Sequence, residues 1–573
     1  MKKKLRIGIL LNHEMIPAWS YKMIEQINNS YHSEIVLLVK NNSTNCDPKR
    51  NLFADVIAKF RTLFYKIYIK LDNKLFSPHH NAFSTKNINE ILSTKIINVT
   101  PHKTKFKDII NDEDILKIRN ENIDIFIRMG FRILSGDILK VAKYGIWSYH
   151  HGDNSVIRGG PAGFWEILEK WKETGVTLQI LSEDLDNGQI LFKSFSKTIN
   201  HSLILNKNNF YWKSLSFIPN KMKELFDLGD VEFFNEINEY NSNPLFYSNK
   251  LYQEKNIRNA KIIYLILNNL YNFMRNRISR IFYLKQWILL FKINESNSIS
   301  KTFFRFKKIV PPIDRFWADP FVIEKEDKYY IFIEELMYDT NKGHISYITM
   351  DKKGNYTKPI KIIEKKYHLS YPFLIEDGGN LYMIPETKEN KTIDLYKCSY
   401  FPNEWKYEKT LINNIEAVDT TIIHKNEKYW MFTNIANKGA SNLEELYVFS
   451  ADNLHSNNWI PHPKNPVVSD VKQSRPAGNF FTYNGNLYRP SQNNTVTYGY
   501  GMKINKVLCL DEFNYNEEVV NSIYPNWDAN IIATHTFNHE EKLTIIDGLF
   551  KRKRNFYQII KLISSKMKKN NYK

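Results

Sequence analysis

Two histidines, His150 and His151, close the apolar run GIWSYHH (145–151), and Asp153 follows in the same short loop. An imidazole can stabilise a developing oxyanion, and a carboxylate can take up a proton. A second group of ionisable residues lies far along the chain. Asp319, Glu335, Glu386 and Asp419 recur in segments of similar layout, and Arg475 and Arg489 stand in a further copy. Guanidinium forks suit phosphate and carboxylate, so these arginines predict an anionic ligand. Cys46, Cys398 and Cys509 are far apart and odd in number. They offer neither a disulfide framework nor metal-ligand spacing, so no metal is expected and a cytoplasmic location fits.

The elements that must position these residues change character along the chain. LRIGILL (5–11), EIVLLVK (34–40), KIINVT (95–100), DIFIRMG (124–130) and GIWSYHH read as strands, with amphipathic stretches between them. Strands alternating with helices predict a doubly wound, mostly parallel α/β sheet. Ligands of such sheets bind beyond the carboxyl ends of the strands, which points to the loop after GIWSYHH. Residues 201–285 read as a helical connector. Its segment ILNNLYNFMRNRISRIFYLKQW (266–287) has apolar positions three and four apart, with Arg275, Arg277 and Arg280 among them. It reads either as a helix packed between two domains or as one lying on a membrane surface.

From about residue 285 the texture is β. ADPFVIEKEDKYYIFIEE (318–335), SYPFLIEDGGNLYMIPE (370–386), VDTTIIHKNEKYWMFTN (418–434), RPAGNFFTYNGNLYRPSQ (475–492) and THTFNHEEKLTIIDG (534–548) share one layout. Each opens on a short polar or Pro-containing segment, then runs strand, charged turn and aromatic strand. Such a repeat predicts a β-propeller, and five copies predict five blades.

The formal net charge is +19, but lysine is spread along the whole chain and forms no basic stripe. No nucleic-acid module accompanies it, so no nucleic-acid partner is expected. The run 7–11 is too short for a signal-peptide core, and nothing reaches the roughly 18 apolar residues needed to span a bilayer. Peripheral membrane contact stays open.

The stretch 145–191 resembles the formyltransferase family. His150 takes the place of the family histidine, and Arg158-Gly159 follow at the family spacing. Thr174-Gly175-Val176-Thr177 and Leu185-Asp186-Asn187-Gly188 match the two later motifs. Ser148 stands where the family has Asn, and 151–155 replace the Pro-Ser-Leu-Leu-Pro segment. The resemblance covers roughly residues 1–200. It implies transfer of a formyl group from 10-formyltetrahydrofolate to an amine, with His150 stabilising the oxyanion and Asp186 assisting proton removal. Ser148 is a third candidate. It further implies that the segment holding Arg128, Met129, Gly130 and Leu134 borders the folate with its backbone. His151, Asp153 and Arg158 would meet the acceptor.

ADPF with the downstream YYIFIEE resembles the five-bladed propeller glycosidases of the arabinanase and xylosidase type. The resemblance implies Asp319 as a general base, with Asp419 in the matching place of the third blade. Glu335 and Glu386 are further carboxylates at aromatic-strand ends, and no general-acid glutamate is evident in the fourth blade. The module is also similar to the propeller-like domain of plant inositolphosphorylceramide glucosaminyltransferases.

The expected architecture is therefore an α/β formyltransferase-like domain (1–200), a helical connector (201–285) and an all-β five-bladed propeller (286–573). The expected function is N-formylation of a nucleotide- or lipid-linked amino sugar in surface polysaccharide synthesis. The alternative is a glycan-active, hydrolase-like propeller, or a glycan-binding one, with a degenerate first module. Acceptor identity and oligomeric state stay open.

Overall fold

A computed structural model of the chain describes residues 2–43, 60, 62–183, 188–242, 251–294, 299–300 and 302–560. The chain divides into two compact units, residues 1–267 with 437–441, and residues 268–436 with 442–573.

The first unit is built on a seven-stranded sheet. Its strands are β1 (Leu5–Leu11), β2 (Ser33–Asn41), β3 (Lys95–Val99), β4 (Ile125–Arg128), β5 (Ile146–His150), β6 (Glu173–Ile180) and β7 (Gln189–Lys197), in the order β7-β6-β5-β4-β1-β2-β3. The five strands from β5 to β3 run parallel, and β6 and β7 add an antiparallel edge. Ile7, Ile9, Leu10 and Leu11 are all buried, because β1 is covered on both faces and reads as an unbroken apolar run. On one face Ile7, Ile9 and Leu11 share a core with Trp19, Met23, Ile24 and Ile27 of helix α1 (Ala18–Asn28). On the other, Leu10 joins Phe126 and Ile115 and Ile118 of helix α2 (Asp112–Arg119), whose N-cap Asn111 accepts from the Asp114 amide at 2.8 Å. Gly8 is required between them, since a Cβ there would lie 2.2 Å from the Phe126 ring.

The first unit runs past residue 200. Helices Leu203–Ser214, Phe217–Leu228 and Asp230–Tyr240 place Phe210, Ile218, Met222, Leu225 and Phe233 in the same core as β1 and α1. Much of the expected connector is thus apolar surface that completes this fold. The long helix is Asn259–Phe282, and the chain turns to strand at Tyr283 rather than staying helical to Trp287. The run YLKQWILLFKI finds a partner along its whole length, pairing antiparallel with Leu543–Lys553 from Tyr283↔Lys553 to Ile293↔Leu543.

Among its described residues the second unit contains five four-stranded antiparallel sheets. One combines Lys307–Ile309 and Tyr283–Ile293 with Leu543–Lys553 and Phe537–Glu540, so the start and the end of the unit share a sheet. The other four follow one another along the chain. Their opening strands Arg315–Lys325, Ser370–Asp377 and Val418–Lys425 each carry a register shift against the next strand. Asp319, Tyr371 and Asp419 sit in those shifts with φ of 50°, 45° and 52°. Non-glycine residues rarely adopt this conformation, and it re-aims the side chain out of the strand's alternation.

Candidate functional site

In the first unit the strand order reverses beside β1, whose neighbours are β2 and β4. Such a switch point opens a crevice beyond the strand ends. Here the Met129 amide donates to Leu10 O at 2.8 Å, and a Cβ on Gly130 would fall 2.5 Å from the Asn12 nitrogen. Phe131, at φ 63°, donates its amide to Asn12 Oδ1 at 2.8 Å. Leu134 instead buries its side chain in the core beneath. Arg128 reaches across to β5, donating to Ser148 Oγ at 3.3 Å and to the Phe131 and Arg132 carbonyls.

His150 ends β5. Its Nε2 lies 2.9 Å from the Ile157 carbonyl, which only accepts, so Nε2 carries the proton. The loop folds back to allow this, the Ile157 and Val156 amides both bonding Asp153 O. Burial would raise the Asp153 pKa, but Lys193 at 2.6 Å and two bonds from Ser155 outweigh it and hold the carboxyl below its ordinary range. His151 points elsewhere, stacked 3.8 Å from the Tyr211 ring and edge-on to Trp19. Burial, and then the neighbouring His150, keep its pKa well below the usual imidazole value.

Glu166 reads in sequence as part of a core-packing segment, and it is buried on helix Phe164–Leu168. Neither carboxyl oxygen has a hydrogen-bond partner among the described residues. Burial, and then the Asp153 charge, push its pKa up to about 8. Asp186 lies outside the described residues, as does the side chain of Arg158, whose backbone forms the short strand Arg158–Gly159.

In the second unit the sheet openings converge on a buried polar cluster. Asp319 Oδ1 accepts from Thr536 Oγ1 at 2.8 Å, and Oδ2 from the Tyr371 amide at 3.2 Å. His535 sits between Asp319 and Asp547, with Nε2 3.4 Å from the first and Nδ1 2.5 Å from the second. Burial opposes charging of the imidazole, but Asp547 and Asp319 prevail and push its pKa up to about 9. Trp287 stacks on this ring at 4.2 Å. Burial raises the Asp319 pKa, with Glu334 and Asp419 adding to the shift. Asp419 receives Arg475 Nε at 2.6 Å, Arg475 Nη2 at 3.1 Å and Gln492 Nε2 at 2.6 Å. Glu386 accepts from the Asp419 amide at 3.3 Å, and its pKa is raised by burial and then by Asp419. Tyr371 Oη accepts from the Gly478 amide at 2.8 Å.

Asp319, Glu386, Asp419 and Arg475 are thus brought together. Glu335 and Arg489 are not. Glu335 pairs with Trp317 and takes bonds from Arg315, Trp317, His344 and Ser346. Burial opposes its ionisation, but these donors hold its pKa down at about 2. Glu334, one position earlier, is the carboxylate that acts on Asp319, and it meets His368 Nε2 at 3.1 Å. Arg489 forks onto Glu517 at 2.8 and 2.6 Å and bonds two backbone carbonyls, so its guanidinium is consumed internally. Arg475 is likewise matched by Asp419, which removes the simplest form of the anion site.

His535 and Asp547 were also missed in sequence, although a signal existed. In the openings ADPF, SYPF, VDTT, AGNF and THTF the second residue is Asp319, Tyr371, Asp419, Gly478 and His535. All five belong to this network. Asp319, His535 and Asp547 offer ligand atoms within 4.8 Å of one another, the group among the described residues able to hold a metal ion. The imidazolium already occupies the space between the two carboxylates, an ion-paired arrangement that a cation would have to displace. A separate cavity of about 320 Å³, lined by Phe303, Phe481, Tyr488, Ile504, Ile523 and Phe537 among others, shares no lining residue with the cluster.

Residues 308–533 match the family described as glucosamine inositolphosphorylceramide transferase 1, N-terminal. The chain is similar to glucosamine inositolphosphorylceramide transferase 1 of Arabidopsis thaliana, 34% identical over 209 residues, covering 35% of this chain and 27% of the relative. The Oryza sativa subsp. japonica protein of that name is 31% identical over 210 residues, covering 36% and 28%. The chain therefore spans little more than a quarter of the length of these relatives. It is also similar to a methionyl-tRNA formyltransferase of Prochlorococcus marinus, 39% identical over 88 residues, covering 15% of this chain and 26% of the relative. Among solved structures, the catalytic domain of a Coprinopsis cinerea α-L-arabinofuranosidase covers 48% of this chain and 94% of its own, at 10% identity and TM-score 0.33. A family 117 glycoside hydrolase of Zobellia galactanivorans covers 47% and 90%, at 12% identity and TM-score 0.31.

Proposed function

We propose that the protein is a transferase of glycan metabolism. In this reading the first unit formylates the amine of a nucleotide- or lipid-linked amino sugar, and the second, taken as a five-bladed propeller, holds the glycan. The observation that carries it is His150 at the end of β5, the strand whose Ser148 receives Arg128 from β4, on the side of the sheet where the strand order reverses at β1. In this reading 10-formyltetrahydrofolate supplies an activated formyl carbon. The amine lone pair forms the new C–N bond and Asp186 takes the amine proton, while His150, with a proton on each ring nitrogen and Nε2–H on the Ile157 carbonyl, stabilises the charge on the formyl oxygen through Nδ1–H; as the carbonyl re-forms, the bond from the formyl carbon to N10 breaks and tetrahydrofolate leaves with that electron pair and a proton. Similarity to proteins named for formyl transfer and for glucosamine supports this pairing of substrates.

The test is incubation with 10-formyltetrahydrofolate and a panel of nucleotide-linked amino sugars, read by mass for the gain of one CO. Product that disappears with His150→Ala supports the reading. No product from any acceptor, with no thermal shift by folate analogues, overturns it. A second reading, glycan hydrolysis by the second unit, is favoured by the raised pKa values of buried Asp319 and Glu386. It requires sugar release that Asp319→Ala abolishes and His150→Ala leaves intact.

A further inference from the structure

Helix Asn259–Phe282 buries only Ile262 and Leu265. Leu267, Leu270, Tyr271, Met274 and Ile278 recur three and four residues apart, which puts them on one face, and each is more than half exposed. Asn268, Asn272, Asn276 and Ser279 take the opposite side. Arg275 and Arg277 lie at the two margins of the apolar stripe, the first over the Tyr271 ring and the second over Phe273. A helix with so much apolar surface in water needs a cover.

The charge around it says which. Between Glu254 and Glu295 the chain has no Asp or Glu, while the helix carries Lys261, Arg275, Arg277 and Arg280. The patch continues beyond the helix end. Arg554 donates its amide to Phe282 O at 2.8 Å, and Tyr283 pairs with Lys553. Phe556 and Tyr557 follow, exposed by 78% and 73%. Basic residues interleaved with exposed aromatics suit the headgroup region of a bilayer, where the rings sink and the guanidinium groups reach the lipid phosphates. A second copy of the helix would instead bring arginines together with no acid to receive them. The helix does not cross a membrane: no helix among the described residues is long and apolar enough.

We infer that the helix 259–282, with the adjoining segment 551–557, lies flat on an anionic lipid surface. Its apolar stripe enters the headgroup layer, and Arg275 and Arg277 at its margins contact lipid phosphate.

The test is flotation of the full chain with vesicles of phosphatidylcholine alone, or of equal parts phosphatidylcholine and phosphatidylglycerol. The chain should float with the anionic vesicles, and raised salt should release it. Leu270→Glu with Met274→Glu should abolish flotation. Arg275→Gln with Arg277→Gln should weaken partitioning roughly thirtyfold, at a little under one decade per basic residue. All these side chains are exposed, so an unchanged melting temperature confirms that the variants fold. Equal flotation of parent and variants overturns the inference. So does a parent that ignores anionic vesicles, or one that is dimeric without lipid and becomes monomeric with Leu270→Glu and Met274→Glu.

Discussion

The Arg475 guanidinium grips the Asp419 carboxylate through two bonds, Nε to Oδ2 at 2.6 Å and Nη2 to Oδ1 at 3.1 Å, and both residues are buried. Asp419 holds a left-handed backbone conformation at this point, so the pair fixes a strained turn as well as a charge. Removing one partner leaves the other buried and unmatched. Arg475→Met should destabilise the second unit by about 3–5 kcal/mol. Arg475→Met with Asp419→Leu should cost clearly less than the two single changes added together. Chemical denaturation followed by tryptophan fluorescence checks both.

His535 gives the second unit an alkaline limit. Its pKa rises on folding from the ordinary 6.5 to about 9. The folded state therefore holds the proton more tightly, and this contribution is complete below about 6.5 and lost as pH rises through about 9. The raised Asp319 and Glu386 act in the same sense, since the folded state also favours their protons. The melting temperature should fall over that window. His535→Gln should lower it at pH 6 and flatten its decline.

Glu166 should behave as a neutral acid in the first unit. Its pKa rises from 4.5 to about 8, so stability falls between those values as the unfolded chain ionises first. Glu166→Gln should remove that fall and leave the unit more stable than the parent at pH 8, as read by hydrogen exchange of first-unit peptides.

The contact of Gly8 with Phe126 gives a compensating pair. Gly8→Ala should destabilise the first unit by about 1–3 kcal/mol through overpacking, since the new methyl would meet the ring at 2.2 Å. Phe126→Leu alongside it should recover part of the loss, measured as separate and combined melting shifts.

What the sequence made legible follows from how local each signal is. The parallel strands were readable because residues such as Ile7, Ile9 and Leu10 are buried on both faces and leave no polar interruption. The openings of the second unit were readable because one layout recurs. Glu335, a carboxylate at an aromatic-strand end, stands one position from Glu334, and in a strand one position selects the opposite face. Only the register shift between Ala318 and Phe321 settles which carboxylate accompanies Asp319. Arg489 looked like a ligand for anions because its partner Glu517 lies 28 residues away on another strand. The helix end at Phe282 was illegible for the same reason: the partner that recruits Tyr283 as strand begins at Leu543.

That pairing bears on how the protein is made. Tyr283–Ile293 leaves the ribosome about 250 residues before Leu543–Lys553, the strand it must join. At about 5–20 residues per second, the nascent strand waits roughly 10–50 s with the edge that Leu543–Lys553 will cover unpaired, Lys307–Ile309 being able to join only its other edge. A chaperone able to shelter that edge during translation would raise the yield of native protein, and a stop codon placed before Leu543 would forfeit the whole second unit rather than trim it.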